Sequence, residues 1–311
     1  MSQAEKVVII GGACAGYTSA IYTARASLSP LVFLGDADGG QLAQTTDVDN
    51  YPGFPDGVMG PDLMLRFRQQ AERFGTRIVQ KSVASVNFSV RPFALTDTDG
   101  AVTLAHSVII ATGAQARWLN LPSEQRLRGK GVSACATCDG FFFRGREVAV
   151  VGGGDTALEE ATFLTKFASK ATIIHRRDAL RASRAMQDRA KANNKIAFIW
   201  DSAVEEVLGS DKVSGLRLRN LKTGAVSEFP CQGLFLGIGH EPATAIFRGQ
   251  VELDAAGYVV TREGTTATSV PGVFAGGDVR DPRYRQAISA AGSGCMAAID
   301  AERWLGEQAI Q

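Results

Sequence analysis

A short apolar run that feeds a glycine turn and then a helix occurs twice in this chain. That repeat limits what it can fold into more than any other feature. Lys6-Val-Val-Ile-Ile10 leads into Gly11-Gly12-Ala13-Cys14-Ala15-Gly16, then a helical stretch over residues 17–26 and a second apolar run, Pro30-Leu-Val-Phe-Leu34. Further on, Glu147-Val-Ala-Val-Val151 leads into Gly152-Gly153-Gly154-Asp155-Thr156-Ala157, a helical stretch over 158–167 and Lys170-Ala-Thr-Ile-Ile174. Each is a strand–turn–helix–strand unit of about 30 residues, the size of a dinucleotide site. One glycine cluster alone reads as a loop. Two in this context predict an α/β chain with two Rossmann-like dinucleotide-binding domains. The first glycine of such a turn makes the bend, the second admits the pyrophosphate, and the third small residue lets helix and strand pack closely. The helix N-terminus then offers free N–H groups and partial positive charge to the phosphates. Gly152, Gly154 and Ala157 meet all three demands. In the first turn Ala13 stands at the second position, and its methyl group is expected to crowd the pyrophosphate.

Residues 107–114 and 270–279 each read as a strand ending in a small-residue turn. The second delivers Asp278 at a strand's carboxyl end, where ligands of open α/β sheets bind. Arg285-Gln286-Ala287 then opens a helix of small residues to Trp304. The first and last thirds therefore form one discontinuous domain, residues 1–115 and 246–311, with residues 116–245 inserted into it. A length of 311 residues suits two domains, and Lys+Arg 33 against Asp+Glu 32 gives a net charge of +1, which argues against nucleic acid as a partner. No apolar run approaches the ~18–20 residues of a membrane span. The strand pattern begins too early to leave room for a signal peptide. The expected setting is cytoplasmic.

The sharpest chemical feature is Cys135-Ala-Thr-Cys138-Asp139. A zinc site needs further ligands at suitable spacing, but His106, His175 and His240 are scattered, so no metal is expected and the pair reads as a reversible dithiol. Asp139 offers a carboxyl group able to pass a proton to a departing thiolate, the alternative being an incidental surface acid. Cys14, Cys231 and Cys295 read as packing. After the second glycine turn come His175-Arg176-Arg177 and Arg181, where an NAD site would carry an acid for the ribose. Guanidinium groups pair bidentately with phosphate, which points to the 2′-phosphate of NADP. A solvated basic turn is the alternative.

In order along the chain, these motifs make it similar to the low-molecular-weight thioredoxin reductases of bacteria, fungi and plants, over residues 6–305. The resemblance also rests on Gly39-Gly40-Gln41-Leu42, Asn50-Tyr51-Pro52-Gly53, Ala111-Thr112-Gly113, Gly237-Ile238-Gly239-His240, and Gly277-Asp278 followed by Arg285-Gln286-Ala287. It implies FAD in the outer domain, contacted by Gly11, Gly16, Gln41, Asn50, Ala111, Asp278, Arg285, Gln286 and Ala287. It implies NADPH in the inserted domain, contacted by Gly154, Asp155, Thr156, His175, Arg176, Arg177 and Arg181. A homodimer that reduces thioredoxin is likewise implied, with Cys138 facing the flavin, Cys135 attacking thioredoxin and Asp139 handling the proton. The family is known for rotating its NADPH domain about two linkers, here near 115–118 and 243–246. Two departures stand out: Ala13-Cys14 where Gly-Pro is usual, and Gly276 where Ala is common. Leu34 ends the second strand where an acidic ribose ligand could sit, with Asp36 nearby. A ferredoxin–NADP reductase-like protein would lack the C-x-x-C pair, a peroxiredoxin-dedicated reductase would carry an extra N-terminal dithiol domain, and a dinucleotide-binding sensor would not need paired thiols.

Overall fold

The structure, a computed structural model, describes residues 4–35, 38–45 and 47–310. The chain begins with β1 (Glu5–Ile10), α1 (Cys14–Arg25), β2 (Leu31–Phe33), two short strands β3 (Asp47–Val48) and β4 (Val58–Met59), and α2 (Gly60–Arg73). β5 (Arg77–Val79), β6 (Val83–Asn87), β7 (Phe93–Asp97), β8 (Val102–Ile110) and β9 (Ala114–Ala116) follow. Next come α3 (Pro122–Arg126), β10 (Val132–Ser133), α4 (Ala136–Asp139), β11 (Glu147–Val151), α5 (Asp155–Leu164) and β12 (Lys170–Ile174). α6 (Arg184–Ala192), β13 (Ile196–Ile199), β14 (Ser202–Leu208), β15 (Gly215–Asn220), β16 (Val226–Pro230) and β17 (Gly233–Leu236) continue the passage. β18 (His240–Pro242), β19 (Val273–Ala275) and α7 (Ala287–Glu307) end the chain. No described helix is long and apolar enough to cross a membrane.

Two compact units result: the chain up to Gln115 together with the part from Glu241 onward, and Ala116–His240. In the first unit β5, β2, β1 and β8 run parallel in that order, with β19 parallel to β8 and an antiparallel β7–β6 pair beyond it. β1 is apolar on both faces because both are covered. Val8 and Ile10 face Phe93, Leu95 and Phe247, while Val7 and Ile9 face Tyr17 and Ala20 of α1 and Ala297 of α7. α1 and α7 touch closely at Gly294, where a Cβ would lie 2.3 Å from the Ala15 carbonyl. In the second unit β10, β17, β11, β12 and β13 form a wholly parallel sheet, and β14, β15 and β16 an antiparallel one. Both units are thus built on the strand–helix–strand pattern expected of the fold class.

Two boundaries differ from the sequence reading. The helices after the glycine turns start at Cys14 and Asp155, ahead of residues 17 and 158. The third small residue of each turn already belongs to the helix and fixes its closest approach. A Cβ at Gly16 would lie 1.8 Å from the Gly11 carbonyl, and one at Gly237 2.6 Å from the Ala157 Cα. The chain also returns to the first unit at His240 and Glu241, earlier than residue 245. Phe247 is buried in the first unit's core, stacked on Phe88, and the Thr244 hydroxyl donates to the Gly257 carbonyl at 2.7 Å. At the crossing, β9 and β18 lie side by side as a two-stranded ribbon. In the first unit Ala243 N–H donates to the Gly113 carbonyl at 3.0 Å, and in the second Arg117 N–H donates to that of Gly239 at 3.0 Å.

Candidate redox and dinucleotide sites

Cys135 and Cys138 are joined in a disulfide, with Cα atoms 5.3 Å apart. β10, held in register by β17 through Val132↔Leu234 and Ser133↔Phe235, delivers the chain to this turn. Cys135 caps α4, so the Cys138 N–H lies 3.2 Å from Cys135 Sγ, and Thr137 Oγ1 lies 3.3 Å from the same sulfur. A disulfide sulfur carries no proton, so Thr137 is the donor. Two donors thus face the Cys135 sulfur, where they can stabilise negative charge once the bond opens. Cys138 is exposed and Cys135 half-buried. Asp139 is half-buried too. Desolvation raises its carboxyl above the usual carboxylate range, and a hydrogen bond from the Ser133 hydroxyl partly offsets that. Sequence reading passed over the next residues, Phe141 and Phe142, which are 58% and 46% exposed and pack edge to face. Arg144 lies over the Phe141 ring at 5.2 Å. The signal in the sequence was three successive phenylalanines after Gly140.

The first glycine turn sits at the end of β1. Gly11 has φ +116°, and a Cβ there would lie 2.2 Å from the Ala111 carbonyl, while Ala111 N–H donates to the Ile10 carbonyl at 2.8 Å. α1 has neither a capping side chain nor an acid in its first turn, so its leading N–H groups are free for an anion. Ala13 is extended backbone. Its methyl group faces Gly40, where a Cβ would come within 3.1 Å of it, and Gly40 at φ +57° lies in the left-handed region that favours glycine. Gln41 is exposed in the 3-10 turn Gly40–Gln44. Leu34 is core, packed on Gly12, and Asp36 lies outside the described residues. Asp38, overlooked in the sequence, accepts from the Tyr17 hydroxyl and from Arg68, the latter at 2.6 Å.

Asn50 and Gln286 meet although 236 residues apart, the Asn50 amide donating to Gln286 Oε1 at 3.3 Å. Gln286 also caps α7 in a reciprocal box with Ser289, so Ala287 begins the helix, and Arg285 before it is held at φ +48°. Asp278 follows β19. Burial pushes its carboxyl up to about 6, Asp281 adding and Arg285 subtracting, and its carboxyl takes no hydrogen bond from a described residue. Free helix amides, an unpartnered half-buried carboxylate and an amide pair fit a dinucleotide with a hydroxyl-rich chain, as flavin nucleotides have.

In the second turn, Gly152 at φ +150° would place a Cβ 2.4 Å from the Gly237 carbonyl, whereas a Cβ at Gly154 would meet nothing within 4 Å. Gly154 caps α5 without a side-chain bond, leaving that helix end open, with Asp155 and Thr156 in its first turn. His175 occupies a different place from the arginines. It is 5% exposed, a Cβ at Gly153 would lie 2.2 Å from its ring, and its Nε2 lies 3.1 Å from the Ala179 carbonyl. Desolvation lowers its pKa, with the nearby arginines adding to the effect. The Gly153 carbonyl accepts from Arg181 and Ala182 N–H at 2.7 and 3.1 Å, and the Asp155 carboxylate from Ser183 N–H and hydroxyl at 2.9 and 2.8 Å. The basic loop after β12 is therefore tied to the glycine turn. Arg176, Arg177 and Arg181 are all exposed on it, beside an open helix end, a setting that suits a phosphate-bearing nucleotide.

Residues 5–294 match the family of pyridine nucleotide-disulphide oxidoreductases. The chain is 56% identical over 306 residues to a thioredoxin reductase of Streptomyces coelicolor, covering 98% of this chain and 95% of that one. It is 53% identical to one of Rickettsia felis, covering 98% and 99%. Its structure is similar to that of a thioredoxin reductase from Giardia duodenalis with a TM-score of 0.94 at 44% identity, covering 98% of this chain and 100% of the other.

Proposed function

The chain belongs to the thioredoxin reductases among the pyridine nucleotide-disulphide oxidoreductases, and from that premise we propose that it moves electrons from NADPH through FAD and the Cys135–Cys138 pair to the disulfide of oxidised thioredoxin. The observation that carries this reading is the closed Cys135–Cys138 bond whose Cys135 sulfur faces two donors, in the unit that also holds an open glycine turn. When bound, the nicotinamide supplies a hydride and the flavin the electron pair that opens the disulfide. On the protein's side, the Cys138 N–H and Thr137 hydroxyl stabilise charge on the Cys135 sulfur as the bond breaks. Asp139, protonated to higher pH than an exposed carboxyl, gives the proton that keeps one thiol neutral. The Cys135 thiolate then attacks one sulfur of thioredoxin, whose other sulfur leaves as a thiolate and takes a proton from solvent. The Cys138 thiol returns its proton to the Asp139 carboxylate and, as thiolate, attacks the Cys135 sulfur; thioredoxin's second sulfur leaves and is protonated in turn. The second attack re-forms the Cys135–Cys138 bond and releases thioredoxin with the electron pair as a dithiol. Phe141 and Phe142 offer the apolar ground on which a protein substrate can rest.

The FAD reading is supported by the residues around Gly11, Asn50, Asp278 and Gln286, and the NADPH reading by Arg176, Arg177 and Arg181. Both the dithiol and the nucleotide turn lie in Ala116–His240, with the flavin turn in the other unit. Two exchange partners must therefore reach one flavin in turn, which supports the rotation the family resemblance implies. The same reading makes the protein a cytoplasmic homodimer. The test is Cys138→Ser in the yellow purified protein. NADPH should still bleach the flavin anaerobically while thioredoxin reduction is abolished. A variant that kept even a tenth of thioredoxin turnover would overturn the proposal.

A further inference from the structure

Asp155 and Ser183 each stand where an ordinary explanation is at hand. An acid in the first turn of a helix complements its dipole, and a serine just ahead of a helix caps it. Ser183 is the residue before α6, yet its side chain makes no capping bond to that helix. It turns instead to a residue 28 positions earlier. The Ser183 N–H and hydroxyl both donate to Asp155 Oδ1, at 2.9 and 2.8 Å. The Arg181 and Ala182 N–H groups donate to the Gly153 carbonyl at 2.7 and 3.1 Å, so three successive amides of the basic loop are bound at the glycine turn. The Gly153 carbonyl is backbone, which any residue there would supply. The Asp155 carboxylate is a side chain, placed by its position as the first residue of α5. The start of the loop is set by the sheet: the His175 N–H donates to the Ile199 carbonyl at 2.9 Å, and the Asp201 N–H to that of Arg177 at 3.3 Å. Gln187 Nε2 donates to the Ala182 carbonyl at 2.9 Å, which ties the loop to α6 rather than to the turn. Asp155 and Ser183 are both exposed, so their bonds are modest in net strength and bear on where the loop stands more than on whether the unit folds.

We infer that Asp155 is a positioning residue for nucleotide choice, whose bonds to Ser183 latch the basic loop to the first turn of α5 and so set where Arg176, Arg177 and Arg181 stand. The inference rests on the reading above, in which those arginines take the 2′-phosphate of NADPH. Charge alone would give the acid a different effect. A carboxylate at the open end of a phosphate-binding helix repels a pyrophosphate, and that group is common to NADPH and NADH. The latch acts on the loop, and only a nucleotide with a 2′-phosphate feels the loop's arginines. A guanidinium paired with a phosphate depends on distance and angle. A loop that drifts therefore loses selectivity before the unit loses its fold.

Calorimetric titration of the oxidised holoenzyme with NADP+ and with NAD+ reads the latch without turnover. Ser183 has φ −57° and ψ 151°, a backbone that proline adopts, so Ser183→Pro removes both donors with little strain at that residue. It should weaken NADP+ about tenfold and NAD+ by less than about twofold. Ser183→Ala keeps the N–H. It should weaken NADP+ about threefold, and it answers any loss of folding in the proline variant. Asp155→Asn keeps an oxygen to accept both bonds and removes the charge. Its preference for NADP+ over NAD+ should stay within about twofold of wild type. A preference that falls as far as in Ser183→Pro would place the effect in the charge and overturn the latch. Equal losses for both nucleotides in Ser183→Pro would make the pair a structural prop, and overturn it too. The double variant Arg176→Ala, Arg177→Ala tells the two ideas apart. If it loses the preference while the serine variants keep it, the latch fails and the 2′-phosphate reading stands. If it keeps the full preference, that reading fails and the inference with it.

Discussion

At the scale of single residues, Asp278 is a carboxyl whose burial costs the folded protein stability. Burial lifts its carboxyl from 3.8 to about 6. A carboxyl whose pKa is higher folded than unfolded contributes most below 3.8, and that contribution is lost as pH rises through about 6. Asp278→Asn should therefore stabilise the flavin-free protein at pH 7.5 by about 2 kcal/mol, and by less at pH 5. It should also weaken flavin retention, since the negative charge and one of the two acceptor oxygens are replaced by an NH2 donor. Urea unfolding of stripped protein at the two pH values, beside flavin release on dilution, checks both halves; an asparagine variant no more stable than wild type at pH 7.5 would refute the account. The position of Asp278 after a strand was legible in the sequence, because the run over residues 270–275 points to it. The burial of His175 was not. Its neighbours in the motif are exposed arginines, and only the fold brings its ring under Gly153.

At the scale of elements, the glycine turns could be read in advance because each glycine answers a local clash: Gly11 with the Ala111 carbonyl, Gly152 with that of Gly237. The loop after β12 was legible in its charge and not in its anchoring, which uses backbone N–H groups of Arg181, Ala182 and Ser183 that any sequence carries. The antiparallel β14–β16 sheet escaped notice for a related reason. Its inward residues, Val204, Val207, Leu216 and Leu218, alternate with polar ones and carry no motif. Because the loop is pinned independently of its arginines, Arg176 and Arg177 can be removed without unmooring it. Their double replacement by Ala should weaken NADPH by roughly 1.5–3 kcal/mol for each lost charge-assisted bond, while NADH kinetics stay nearly unchanged. Equal losses for both nucleotides would show that these side chains do not read the 2′-phosphate.

At the scale of the whole molecule, each hydrophobic cluster of the described residues lies within one unit or the other. Sequence reading expects an insertion over 116–245 because the two glycine turns stand far apart, while the compact units divide after His240; residues 241–245 carry no motif that marks which unit they join. The ribbon of β9 and β18 has a further consequence for dissection. Arg117 and Gly239 are bonded at the ends of the inserted unit, and Gly113 and Ala243 at the matching cut in the outer one. Each piece is thus already closed where scissors would fall. Residues 116–240 expressed alone should fold cooperatively, colourless, with the Cys135–Cys138 bond intact and NADPH affinity within a few-fold of the parent. Residues 1–115 spliced to 241–311 through a few glycines should fold and take up FAD as a yellow protein. Circular dichroism melts and calorimetric titration decide this, and an unfolded insert would refute it. Mixed at micromolar concentration, the two pieces should recover only a trace of thioredoxin turnover. What the ribbon contributes is effective concentration, on the order of millimolar for a short tether, and a cut through it leaves both binding sites whole but strands the electrons on either side.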